Sequence, residues 1–149
     1  MKLDPERYPR ASELQGDSPV DTALLLEMHE GALGYLLAHD WCEEILESRF
    51  GLGVGGVVAV FLCLTRVEDS GLEWIWVIEG DLPSAYLVSD DAPTPAQALR
   101  AYVGLMEDWV QAVLTAGDLE SVFPVAAPTD DEHAKMLGLR LASMRQDIR

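Results

Sequence analysis

Lysine is almost missing from this chain. None occurs between Lys2 and Lys135, and eight arginines bring the basic total to only 10 of 149 residues. Without a basic surface nothing can neutralise phosphates, which excludes nucleic acid as a partner and makes an anionic membrane surface repulsive. Long apolar runs are also lacking. The longest uncharged stretch, Phe50 to Thr65, spans 16 residues and contains four glycines. A membrane span needs about 20 predominantly apolar residues, so this run reads as a buried strand and its lead-in. Cysteine is limited to Cys42 and Cys63, and the opening MKLDPERYPRASELQGDSP has neither an apolar core region nor a small-residue cleavage pattern. Both features point to free thiols in a reducing compartment, so a cytoplasmic location is expected.

Acid is what the chain has in excess. Its 26 Asp and Glu give a net charge of −16, while 49% hydrophobic residues suffice for a packed core, which excludes intrinsic disorder. The charge is unevenly placed. Residues 11–134 hold three arginines against 23 acids, a net of −20, whereas residues 135–149 carry a net of +3. Such a surface keeps a chain soluble by self-repulsion, and it also suits docking of a basic partner.

The order of elements reads as α+β. Residues 1–17 are polar, with two prolines and no periodicity, and are expected to form a flexible arm before a single domain over 18–149. Ser18-Pro19 is a helix start, followed by Leu24, Leu25, Met28, Leu33, Leu36 and Leu37 at near-helical spacing; Gly31 and Gly34 invite a kink. Asp40 with Glu43 resembles a capping box and predicts a second helix over WCEEILESRF, closed by Gly51. Strands follow at about 57–66, 72–79 and 84–89, and their short connections require an antiparallel meander of three. The tight turns set Leu62 opposite Trp76, Leu64 opposite Trp74, Trp76 opposite Leu87, Trp74 opposite Ser89 and Glu73 opposite Asp90. Thr94-Pro95 starts a helix to Ala116 with the stripe Leu99, Tyr102, Val103, Met106, Trp109, Val110, Val113 and Leu114, expected to cover the sheet. Residues 118–128 read as a linker with Val122, Phe123 and Val125 tucked down. Thr129 and Glu132 then form a capping box for a last helix with the stripe His133, Met136, Leu137, Leu141, Met144 and Ile148.

Few residues suggest chemistry. Gly51, Gly53 and Gly56 satisfy G-x-G-x-x-G, but a dinucleotide site needs the motif after a strand and before a helix, so it is set aside. His29, His39, Cys42, Glu43 and Glu47 lack a second histidine pair or a C-x-x-C, and no metal site is assigned. Glu73, Asp90 and Asp91 form a like-charge end of a hairpin that either a cation or a bulge would relieve. Ser84, Ser89 and Cys63 have no histidine that the sequence places nearby, so no catalytic residue is assigned. Four residues remain as candidates for ligand binding: Trp76 and Tyr86 as aromatic walls, Glu79 and Asp81 as carboxylates at the hairpin end. No cofactor is implied.

The run WIWVIEGDLPSAYLVSDDAPTPAQALRAYVGLMEDWVQAV and the later FPVAAPTDDEHAKMLGLRL resemble a family of small, acidic, uncharacterised bacterial proteins. The shared pattern is W-V-x-x-G-D-L-P-x-A-Y, here Trp76, Val77, Gly80, Asp81, Leu82, Pro83, Ala85 and Tyr86. The resemblance covers the last two-thirds of the chain and implies a bacterial source and a compact domain. It transfers no catalytic residue. Eight arginines to two lysines and no asparagine agree with a GC-rich genome. Three readings of function follow: an acidic, non-enzymatic module for a basic protein, immunity- or inhibitor-like; a small-molecule binder or enzyme with a pocket between sheet and helices; and a homodimer sealed by apolar surface on the N-terminal helices.

Overall fold

In a computed structural model the chain begins with arm residues held against a sheet edge. The structure describes residues 2–115, 117, 122 and 129–147, with side chains at all of these except 91 and 145–147. Two short 3-10 turns, Pro5–Arg7 and Ala11–Glu13, precede helix α1 (Pro19–Leu37). Strands β1 (Cys42–Val54), β2 (Val58–Val67), β3 (Gly71–Gly80) and β4 (Ala85–Val88) follow, then helices α2 (Pro95–Leu114) and α3 (Asp131–Asp147). The class is α+β. Its antiparallel sheet has four strands in the order β1-β2-β3-β4, one more than the sequence predicts.

The extra strand is the segment expected as a second helix. Cys42, Ile45 and Ser48 pair with Val67, Thr65 and Cys63, and register shifts fall between Cys42 and Glu44 and between Ile45 and Glu47. Each bulge inserts a residue, so the positions on one face recur every three residues instead of every two. That spacing imitates a helix. The G-x-G-x-x-G run accordingly lies in β1 and its turn into β2, with Gly56 at φ +78° in a conformation that favours glycine.

Helix α1 starts as read. The Ser18 hydroxyl accepts the Asp21 amide at 3.0 Å, with Pro19 in the first turn. It runs unbroken through Gly31 and Gly34, each of which costs about 1 kcal/mol relative to alanine. Its buried face, Leu25, Met28, Ala32 and Leu36, offsets that by packing in one core with Ala59, Phe61, Cys63, Ile75 and Val77 of the sheet. Leu24 and Leu37, expected in that stripe, are exposed.

The remaining register is close to expectation. Leu62 faces Trp76, Leu64 faces Trp74, and Trp76 faces Leu87. The β3–β4 ladder stops at Ile75–Val88, because Ser89–Asp91 turn into a 3-10 helix. Glu73 therefore sits opposite Thr65, and the expected Glu73–Asp90 and Trp74–Ser89 pairs do not form. Trp76 is fully buried, donates Nε1–H to the Ala92 carbonyl at 2.6 Å, and meets the Tyr8 ring edge-on at 6.0 Å. Burying an indole contributes roughly 4–6 kcal/mol of transfer free energy before entropy is counted.

The polar arm takes part in this core. Ala11 and Leu14 are buried, the Phe50 amide donates to the Pro9 carbonyl at 2.8 Å, and Arg10 bridges Arg49 on the outer edge of β1. Arg49 is a buried cation: its guanidinium donates to Glu47, to the Tyr8 carbonyl at 2.9 Å and to Glu6 at 3.4 Å.

The chain divides into two compact units, Met1–Ala98 and Leu99–Arg149. At the head of α2, the Thr94 hydroxyl accepts the Gln97 amide at 3.2 Å. The helix ends at Leu114, two residues before the expected Ala116, and the Gly117 amide bonds back to the Ala112 carbonyl. Its expected stripe is buried except for Leu114, which is half-buried. In the second unit, α3 is capped by Asp130, not Thr129; the Asp130 carboxylate accepts the His133 amide at 2.8 Å. Ala134, Leu137, Leu141 and Met144 are its buried face, while His133 and Met136 are exposed. The expected linker, apart from Val122, and Ile148 lie outside the described residues. No helix among those described is long and apolar enough to cross a membrane.

Candidate functional site

The four residues singled out from the sequence do not converge. Alternation along β3 and β4 puts Trp76, opposite Leu87, on one face of the sheet, and Tyr86, opposite Val77, on the face that carries α1. One pocket cannot be walled by both. Glu79 and Asp81 do meet, in an open cavity of about 680 Å³ lined also by Leu24, Glu27, Met28, Glu30, Gly31, Gly56 and Gly80.

Local geometry builds that cavity. A Cβ on Gly31 would lie 3.2 Å from Glu79 Oε1, so the bare helix surface admits the carboxylate. At Gly80 a Cβ would fall 2.3 Å from the Val57 carbonyl oxygen, and only glycine lets β3 end against that turn. The Ser84 hydroxyl donates to Glu79 Oε2 at 2.7 Å. Burial raises the Glu79 carboxyl above its ordinary value, and the Ser84 bond partly opposes the rise. Among the described residues four carboxylates and no Lys or Arg line this space, so its field is negative.

A second groove lies on the other flank of α1. It measures about 620 Å³, and its walls are Leu26, His29, Leu33 and Leu37 of α1, residues 43–48 of β1, and Arg10, Ala11 and Ser12 of the arm. Inside it His29 Nε2 and the Ser48 hydroxyl are 2.7 Å apart. Burial lowers the His29 imidazole from its ordinary value, against a smaller opposing influence of Glu30. Reading β1 as a helix hid this serine–histidine pair. A strand with Ser48 facing inward would have revealed it. No acid orients the other ring nitrogen among the described residues, so the Ser-His-acid arrangement is not present there.

Aromatic rings gather where α1 ends. His39 lies 4.9 Å from Tyr35, 5.0 Å from Trp41 and 5.1 Å from Tyr86 between ring centroids. Its Nδ1 faces the Tyr35 and Leu36 carbonyls at 3.0 and 3.2 Å; carbonyls only accept, so Nδ1 carries the proton. Burial first, then Tyr86 and Glu79, push the Tyr35 hydroxyl up to about 12. His39 itself fills the space among the rings. Both cysteines are buried free thiols, and burial raises Cys42 and takes Cys63 to about 12, leaving little thiolate for chemistry. Among the described residues no group of three or more His, Cys, Asp or Glu is placed to hold a metal ion. No family model, curated protein or solved structure matches this chain.

Proposed function

We propose that this chain is a non-enzymatic interaction module that holds a basic protein, in the manner of an immunity protein or inhibitor. One observation carries the reading: the space between α1 and the end of β3 is acidic. Glu27, Glu30, Glu79 and Asp81 line it with no Lys or Arg among the described residues, whereas in the groove on the other flank Arg10 and Arg49 hold Glu47 and Arg66 holds Glu44. A partner of opposite charge gains association rate from such a surface and is kept in register by it. The His29–Ser48 pair has no orienting acid among the described residues, so the reading does not draw on it.

The test is affinity capture on the intact chain at low salt, followed by elution across a salt gradient. Basic proteins released by about 0.5 M salt, where the screening length falls to roughly 4 Å, are the expected result. Captured partners that are neutral or acidic, or that ignore salt, would overturn the reading. A small-molecule binder is the second reading. It is favoured by Glu79 alone, a half-buried carboxylate held by Ser84 at a cavity wall, and it would take a cationic ligand.

A further inference from the structure

We infer that Ser48, with His29 as its base, is an acyl acceptor for an activated ester whose apolar acyl chain lies in the groove between α1 and β1. This chemistry is independent of the interaction reading. The fold makes a juxtaposition that no local window shows: His29 of α1 and Ser48 of β1, 19 residues apart in the chain, bring Nε2 and Oγ to 2.7 Å. That is within the reach a nucleophile and its base require. Both residues are half-buried and line the groove, so a molecule lying in it reaches the hydroxyl. The Phe61 ring of the core packs against the imidazole, 5.2 Å away between centroids. Neither side chain makes another hydrogen bond among the described residues. The imidazole can therefore carry its proton on Nδ1 and accept from Ser48 through Nε2. Burial lowers His29 from its ordinary value, which keeps it a neutral base at neutral pH.

The step balances without a co-reactant. Ser48 Oγ attacks the carbonyl carbon while His29 Nε2 takes the hydroxyl proton. The bond from that carbon to the leaving oxygen then breaks, and Nε2 returns the proton to the departing alkoxide. The products are an ester of Ser48 and a free alcohol, with nothing oxidised or reduced. Loss of the orienting acid costs a Ser-His-Asp enzyme about 10⁴-fold. The alcohol must therefore be acidic enough to leave with little help, and the outcome is one acyl group per chain, not turnover. A single modification leaves the non-enzymatic reading as it is. The walls specify the acyl chain. Leu33 and Leu37 follow His29 on the same face of α1, and Leu37 and Leu46 are 50% and 45% exposed. From His29 to Leu37 the helix rises roughly 12 Å, the length of a medium acyl chain. Arg10 and Arg49 hold Glu47 here and Arg66 holds Glu44, so a neutral ligand suits this space better than a charged one.

The probe is the p-nitrophenyl ester of octanoic acid, incubated with the full chain at neutral pH and followed by intact mass and peptide mapping. One octanoyl group per chain is expected, on Ser48, with nitrophenolate released in equal amount. Ser48→Ala should abolish that adduct. His29→Gln should slow it by about 100-fold or more, the share of a general base. Both variants are checked for an unchanged unfolding midpoint, and mapping of the parent chain decides even if neither folds. The corresponding acetyl ester, which leaves the groove empty, should acylate Ser48 at least about tenfold more slowly. Acyl groups found only on the amino terminus, Lys2 or Lys135, or none at all, overturn the inference. An adduct that forms on Ser48 as fast in His29→Gln marks an accessible hydroxyl without a base and overturns it as well. Equal rates for the two esters remove the groove as the acyl site.

Discussion

Glu79 shows how far a single residue can be read from sequence. Its place at a hairpin end was legible from the turn chemistry of Gly80, Asp81 and Pro83, and the cavity is where two of four candidates do meet. Its half-burial was not legible, because that depends on Gly31 of α1 lying across the sheet. A carboxyl raised on folding binds protons more tightly in the native chain. Its favourable contribution is therefore complete below the unfolded value and is lost as pH rises through the raised one. At neutral pH the charged Glu79 costs stability. Glu79→Gln keeps an oxygen for the Ser84 hydroxyl and cannot ionise. Thermal unfolding at pH 7 should show the variant slightly more stable, by about 0.5 kcal/mol or less since a half-exposed group is screened by solvent. The gap should close below about pH 4. A variant less stable at pH 7 would mean that the ionised carboxylate makes a stabilising contact.

At the level of elements, the helices were legible and one strand was not. Ser18-Pro19 and Thr94-Pro95 carry their own start signals, and β2 and β3 carry dense apolar runs whose hairpins set the register. In β1 the two bulges turned a period of two into three, and Asp40 with Glu43 completed the imitation of a helix start. Arg49 was equally opaque. Nothing in a local window distinguishes a surface arginine from one that reaches 41 residues back to the Tyr8 carbonyl. Its side chain is 8% exposed and shared among Glu47, Glu6 and that carbonyl, so it fastens the arm to the sheet edge. Removing Arg49 leaves half-buried Glu47 with only Arg10 at 3.7 Å and takes the donor from the Tyr8 carbonyl. Arg49→Ala should cost about 2–4 kcal/mol in denaturant unfolding. It should also speed tryptic cleavage at Arg7 and Arg10 in the native chain. A loss under about 0.5 kcal/mol with the arm still protected would show that Ala11 and Leu14 hold it instead.

Across the whole molecule, the net charge acts on folding and on binding with opposite signs. Seven acids line the two spaces beside α1, and of these Glu44 and Glu47 are held by arginines. With 26 acids against 10 Lys and Arg, most carboxylates can have no basic side chain of their own, and their mutual repulsion opposes the compact state. Salt screens that repulsion. Between about 0.01 and 0.5 M, where the screening length falls from about 30 Å to roughly 4 Å, the unfolding midpoint of the free chain should rise by about 2–4 °C. Over the same range a complex with a basic partner should weaken, since there the charges attract. Calorimetry on the free chain and on the complex separates the two effects. If the free chain were indifferent to salt, its carboxylates would be too far apart to form a concentrated field, and a docking surface built on that field would lose its physical basis. If stability rose while binding held constant, the partner would be held by apolar contacts and not by charge.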